Sequence, residues 1–276
     1  MAVGVIKKAI GSGFTPLLDG EVNRLRFGVL NLAAGESHTF SCEDREYSIV
    51  LIQGEARVEG AHESAVIGPR MDPFSEKPEG CIFTCGQSVT VTAIRDSFLG
   101  VGSAKAEQPM KDFVVHMDDA FAAVRGDGNW KREVRFCVWN DNTVGNQMMM
   151  GETVIPAGNW STFPPHRHSG KLPGETAYDE AFFMLFRQEN GFGMVWQYED
   201  EENLDQVSHF ETGSLIYGDK GFHTLVVAPV CDCYQLTVMA GPSRKSSASV
   251  DERFKIVLDQ SGMVNPYQNQ NSKKVG

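Results

Sequence analysis

No apolar run in this 276-residue chain reaches the length a membrane-spanning helix requires. Met1 to Gly13 carries two lysines, but its apolar part is too short and too broken for the core of a secretory signal. Basic residues are scarce: 25 Lys and Arg stand against 36 Asp and Glu, a formal net charge of -11. That sign argues against a nucleic-acid binder, whose surface must match a phosphate backbone, and argues weakly against docking on an anionic membrane. An anionic small substrate would need a local basic patch. Cysteine is sparse too. Cys42, Cys81, Cys85, Cys137, Cys231 and Cys233 are scattered, unlike the dense framework of a small secreted scaffold. They read as free thiols in a reducing cytoplasm, and their spacing does not match the common structural zinc sites. Helical periodicity is absent over the first hundred residues.

What the chain does contain is short strands between Gly and Pro turns, the pattern of an all-β sandwich or barrel. Glu46–Gly60 (EYSIVLIQGEARVEG) reads as two strands about Gln53-Gly54, with Ile49, Leu51, Ala56 and Val58 alternating as in a half-buried antiparallel pair. Residues 1–24 read as an N-terminal arm, and Asp118–Val124 as one short helix. The segment VDERFKIVLD reads as a further strand or packing segment, and the polar tail QNQNSKKVG as disordered. The second half repeats the plan of the first: MMMGETVIPAGNWSTF parallels RFGVLNLAAGESHTF, and GSLIYGDKGFHTLVVAP parallels EGCIFTCGQSVTVTA. The expectation is a duplicated unit of ordinary domain size, residues 1–112 and 113–276, with an exit near Gly102–Asp112.

Candidate chemistry gathers in the second unit. His166 and His168 follow Pro164-Pro165 at a spacing of two, which in a strand aims both imidazoles to one side and Arg167 to the other. Glu180 opens the oily strand AFFMLF. A carboxylate there needs a metal or a basic partner, because burying a lone charge is very costly. Asp179, on the opposite face, reads as solvated, and Glu175 is the rival carboxylate. His223 enters a strand after the Gly221 turn. Three imidazoles and one carboxylate suit a divalent metal such as Zn, Mn, Fe or Ni, with positions left for water or substrate. In the first unit Glu36-Ser37-His38 stands where His166-Arg167-His168 stands in the second, and Ser88 or Val89 where His223 stands. The first unit is therefore expected to lack a full ligand set.

The order H-x-H, then E, then H over successive strands is the cupin pattern. GNWSTFPPHRHS, DEAFFMLFR, GFG, YED and YQLTVMAGPSR resemble the bacterial 5-deoxy-glucuronate isomerase family of myo-inositol catabolism, two-cupin relatives of 4-deoxy-5-threo-hexosulose-uronate ketol-isomerase. NLAAGES, LIQGEARVEG and IGPR resemble that family's first domain, so the likeness covers residues 24–245. It implies an all-β bicupin of two double-stranded β-helix (jelly-roll) domains, with His166, His168, Glu180 and His223 as ligands of a divalent metal, Zn or Mn foremost. It also implies aldose–ketose isomerisation of a deoxy-uronate by a homo-oligomer. Glu175 is the candidate base and Tyr198 or Tyr217 the candidate acid, with Tyr217 also a substrate contact. Arg244 or Lys220 is the candidate holder of the substrate carboxylate. The chain departs from the family at Phe222-His223-Thr224, at Tyr234-Gln235-Leu236-Thr237 and after Arg244, where the pocket lining is altered. The same ligand set would serve an Fe(II) cupin dioxygenase or a non-catalytic sugar-binding bicupin.

Overall fold

A computed structural model describes residues 3–139, 142–244 and 247–261. Among them the strands form three antiparallel sheets, as the alternating patterns and Gly/Pro turns dictate. Two long strands, Arg45–Glu59 and Gln87–Lys105, make the spine of an eight-stranded sheet in the first half. The expected turn at Gln53-Gly54 is instead an irregularity within one continuous strand, with register shifts from Leu51 to Ala56. Gly54 sits there at φ 105°, and a Cβ on it would lie 2.3 Å from the Asp96 carbonyl oxygen. Only glycine permits that conformation and that approach. Ile49, Leu51, Ala56 and Val58 all turn inward, around a core with Phe40 and Phe83.

The second half is a sandwich. Its seven-stranded sheet runs in the order Val3–Lys7, Ser214–Gly218, Asp179–Phe186, Cys233–Ala240, Met148–Ile155, Arg132–Val138, Phe121–Arg125. Its five-stranded sheet runs Leu204–Glu211, Phe192–Glu199, Phe222–Val227, Trp160–Arg167, Ser249–Val250. Phe182, Met184, Val195, Phe210 and Leu225 fill the space between. The outer face of the seven-stranded sheet is not solvated, because the first half covers it. Val50, Ile52 and Ala104 share one core with Met150, Leu236 and Val238. Gly100 and Gly102 set the distance of approach. A Cβ on Gly100 would lie 2.2 Å from a Leu236 methyl, and one on Gly102 2.7 Å from Met148.

Three carboxylates cross this seam. Glu152 pairs with Arg70 at 2.7 Å, both side chains fully buried, and accepts a hydrogen bond from the Tyr234 hydroxyl. Glu46 accepts from the backbone N–H groups of Asn146, Gln147 and Met148. Asp179, expected in solvent, is buried and accepts from the N–H groups of Arg24 and Leu25 at 2.5 and 3.2 Å. The face opposite Glu180 meets protein, not water.

Local expectations fail where long-range pairing decides. The N-terminal arm is structured: Val3–Lys7 pairs with Ser214–Gly218, and Gly13–Leu18 joins the first sheet. Strand pairing therefore crosses a division at residue 112 from both sides, since Phe113–Val115 pairs with Glu79–Phe83 in the first half. Asp118–Val124 is not a helix. Phe121–Arg125 is a strand, because alternation lets Phe121 stack on Phe136 at 4.6 Å. After Asp251 the chain forms a 3₁₀ turn and the short helix Ile256–Ser261, while the tail QNQNSKKVG lies outside the described residues. No helix among the described residues is long and apolar enough to cross a membrane.

Candidate metal centre and its cavity

The sandwich brings residues from both sheets to one end of its interior. His166 lies on Trp160–Arg167, His168 just beyond it, and His223 on the neighbouring strand, directly opposite His166 in register. Glu180 comes from the facing sheet. All four are buried, at 6–8% exposure. Ligand atoms of His168, Glu180 and His223 lie within 4.8 Å of one another. His168 Nε2 is 2.7 Å and His223 Nε2 3.2 Å from the same oxygen, Glu180 Oε2. His166 is not one of that group, although its ring centroid is 4.5 Å from that of His223.

These groups fit a divalent metal. His223 Nε2 is buried and makes no hydrogen bond, a state that is costly unless something else takes its lone pair. His168 Nδ1 faces the Tyr178 carbonyl and His166 Nδ1 the Pro164 carbonyl, each at 3.3 Å. A backbone acceptor at Nδ1 fixes the proton there and leaves Nε2 as a donor toward a cation. The charges act differently on His166 and His168. Burial would raise the Glu180 carboxyl, but the adjacent His168 and His223 hold it well below the usual carboxylate range. Burial would depress His168, and the Glu180 carboxylate more than reverses that. Burial, reinforced by His223, keeps His166 well below the normal histidine value and therefore neutral, as coordination demands.

Among the described residues, no such group of ligands gathers in the first half. There Ala93 lies opposite Glu36, exchanging backbone hydrogen bonds through Gly35 and Glu36. His38 packs against the rings of Phe14 and Phe40.

A cavity of about 110 Å³ opens beside His166, His168 and Glu180. Its floor is the seven-stranded sheet, which contributes Arg132, Val134 and Phe136 from one strand, Gly151, Glu152 and Thr153 from the next, and Gln235, Thr237 and Met239 from a third. Ser161 and Thr162 line it from the other sheet, and Arg125 stands at its edge beside Arg132. A smaller recess on the far side of the histidines is lined by Gln197, Tyr217 and Lys220.

The other residues singled out by sequence are placed differently. Glu175 does not line the cavity. Its carboxylate is fully buried, accepts from the N–H groups of Ser169 and Leu172, and lies 3.4 Å from Arg167. The Tyr198 hydroxyl donates to Asp251 at 2.5 Å, and its ring stacks on Trp196. Burial and the Asp251 carboxylate raise it far above the ordinary tyrosine value. Arg244 is engaged by the carbonyl oxygens of Met148 and Thr143 and by the Thr143 hydroxyl, and burial lowers it to about 10. Tyr217 presents its carbonyl to Gln197 at 3.0 Å, while its ring packs over Gly4 and the seam between the halves. Arg125, Arg132, Thr153 and Ser161 were missed. The legible signal was Arg132 in phase with Val134 and Phe136, one charge on an otherwise inward strand face.

Known proteins agree with this architecture. The sequence pattern of the KduI/IolB family matches residues 19–257. The chain is 27% identical over 246 residues to the 5-deoxy-glucuronate isomerase of Bacillus subtilis subsp. natto, covering 88% of this chain and 90% of that one. It is 28% identical over 221 residues to the 5-deoxy-glucuronate isomerase of Geobacillus thermodenitrificans, covering 79% and 80%. An IolB-like protein of Salmonella typhimurium LT2 superposes with a TM-score of 0.87 at 27% identity, covering 92% of this chain and 98% of that structure. The Lactobacillus farciminis oxalate decarboxylase, at 12% identity and a TM-score of 0.61 over 94% and 92% of the two chains, shares the fold. With a family match over most of its length and a shared all-β architecture, the chain belongs to the KduI/IolB family.

Proposed function

We propose that this protein is a metal-dependent sugar-acid isomerase that interconverts the aldose and ketose forms of a deoxy-uronate, 5-deoxy-glucuronate being the substrate named for its relatives. The observation that carries the reading is the convergence of His168, Glu180 and His223 beside a cavity lined with hydroxyl, amide and guanidinium groups. These three, with His166 as the fourth donor, would hold Zn or Mn. When bound, such an ion supplies Lewis-acid polarisation of a carbonyl and its neighbouring hydroxyl. The chain's own residues supply the rest. Phe136, Phe182 and Met239 line the cavity with apolar surface, and a substrate seated against them would displace water and strengthen the electrostatic contacts inside it. Thr153, Ser161, Gln235 and Thr237 offer hydrogen bonds that orient sugar hydroxyls. Glu175 and Tyr198 act from behind the ligands by bracing the loop after His168 and the strand before Asp200, rather than on the substrate. The six free thiols, Cys81 and Cys137 among the fully buried, suit the reducing cytoplasm. Edge strands such as Leu204–Glu211 offer surfaces for the expected homo-oligomer.

The test is elemental analysis of purified protein with an NMR assay of 5-deoxy-glucuronate isomerisation under nitrogen. Metal-dependent conversion without oxygen supports the reading. Turnover that requires iron and consumes oxygen would replace it with a dioxygenase. A metal-loaded protein that converts no sugar acid would leave a binding protein.

A further inference from the structure

Two buried polar atoms stand side by side without a hydrogen bond. Gln197 and His223 are direct cross-strand partners, and His166 lies opposite His223 on its other side. The three side chains therefore form one rung across the five-stranded sheet and share a face of it. Gln197 is 4% exposed. Its Nε2 donates to the Tyr217 carbonyl oxygen at 3.0 Å. That bond fixes which way the amide lies, because a carbonyl accepts only from the NH₂ end. Gly218, opposite Glu180 in register, leaves room for the reach: a Cβ there would lie 3.3 Å from Gln197 Nε2. The amide oxygen is thereby turned away from Tyr217. It is buried and accepts no hydrogen bond, and His223 Nε2 makes none either. An acceptor left unpaired in an apolar interior is costly. Gln197, His168, Glu180 and His223 together line the smaller recess, whose volume is about 10 Å³. That is the space of one water and far too small for a sugar ring. An occupant that satisfies the amide oxygen must donate to it, which excludes a carboxylate or another bare anion.

We propose that Gln197 is a positioning residue that holds a single water in this recess, with one hydrogen on its Oε1 and a lone pair toward the cation held by His168, Glu180 and His223. The recess is separate from the cavity of about 110 Å³, so this water takes a place at the centre that the sugar does not. Substrate is left the positions that face the cavity. The inference deepens the metal reading and rests on it, but not on turnover.

The experiment strips the full-length protein with a chelator and reloads it with Mn(II). Metal content and affinity are measured together with the broadening of the Mn(II) electron paramagnetic resonance lines in water enriched in oxygen-17, which counts coordinated waters. Gln197→Met keeps the length of the side chain and loses the acceptor, whereas Gln197→Asn keeps the amide and withdraws it. Both are expected to reach the wild-type Mn(II) content at saturation, to bind it about 10-fold more weakly, and to lose the broadening due to one water. If Gln197→Met loses its near-ultraviolet circular dichroism, Gln197→Asn carries the test. Unchanged broadening with Mn(II) bound overturns the role of Gln197 and leaves the metal centre standing. Greater broadening, from a water entering where the amide oxygen had been, makes Gln197 a ligand itself and overturns the bridging water. A wild type that takes up neither Mn(II) nor Zn(II) overturns the metal reading and this inference with it.

Discussion

His223 carries an imidazole nitrogen that is shut from water, lacks a hydrogen bond and lies 3.2 Å from a carboxylate oxygen. A shared cation between them would satisfy both groups, which is the arrangement proposed above. Substituting His223→Ala or Glu180→Gln should each lower bound metal by more than about tenfold after dialysis, on the scale expected when a ligand itself is lost. Full metal occupancy in both variants would remove the centre. Arg70 tests a different balance. Its bidentate pair with Glu152 is buried at 0% exposure on both sides. Arg70→Met leaves that carboxylate with Tyr234 and a distant Arg135, so unfolding in urea should show a loss of about 3–5 kcal/mol. A loss under about 1 kcal/mol would mean that water or Arg135 reaches Glu152.

The strand Trp160–Arg167 shows how an element holds a site rigid. Arg167, between the two histidines, points away from the cavity. Its guanidinium pairs with Glu199 at 2.8 Å, faces Glu175 at 3.4 Å, and lies 4.9 Å over the ring of Phe222, the neighbour of His223. One side chain thereby fastens the His-x-His strand to the following loop, to the next strand pair and to the strand bearing His223. On the other side Val250 pairs with His166, and Asp251 donates its N–H to the Pro165 carbonyl. Arg167→Met should weaken metal binding by about 10- to 100-fold while far-ultraviolet circular dichroism stays unchanged, and Arg167→Lys should recover part of it. Unchanged affinity in Arg167→Met would show that backbone pairing alone positions the ligands. The histidines and Glu180 were legible in the sequence because each sits in a short pattern: a two-residue spacing, a charge opening an apolar run, a glycine before a strand. Arg125 and Arg132 were not, because their shared face is created by pairing across a hairpin. Reading Asp118–Val124 as a helix hid the first of its strands. Glu175 and Arg244 were assigned roles on the substrate because sequence shows a charge but not the backbone groups that satisfy it.

At the scale of the molecule, duplication was visible in the repeated strand order, but independence of the two units was not. Leu236 and Val238 rest on Gly100 and Gly102, and the carboxylates of Glu46, Glu152 and Asp179 each find their partners in the other half. A fragment of residues 113–276 would expose that apolar face and lose the Val3–Lys7 strand. It should be aggregated or molten, with dye-binding hydrophobic surface and no near-ultraviolet signal. A soluble, cooperatively unfolding fragment would show the seam to be dispensable. The pairing of Val3–Lys7 with Ser214–Gly218 also sets a schedule. Val3–Lys7 leaves the ribosome some two hundred residues before its neighbour. It must stay unpaired while the first half folds, and contacts so distant in sequence close slowly. A strand made before the whole first half is therefore secured only after it, and completion of the second sandwich waits on segments made far apart in time.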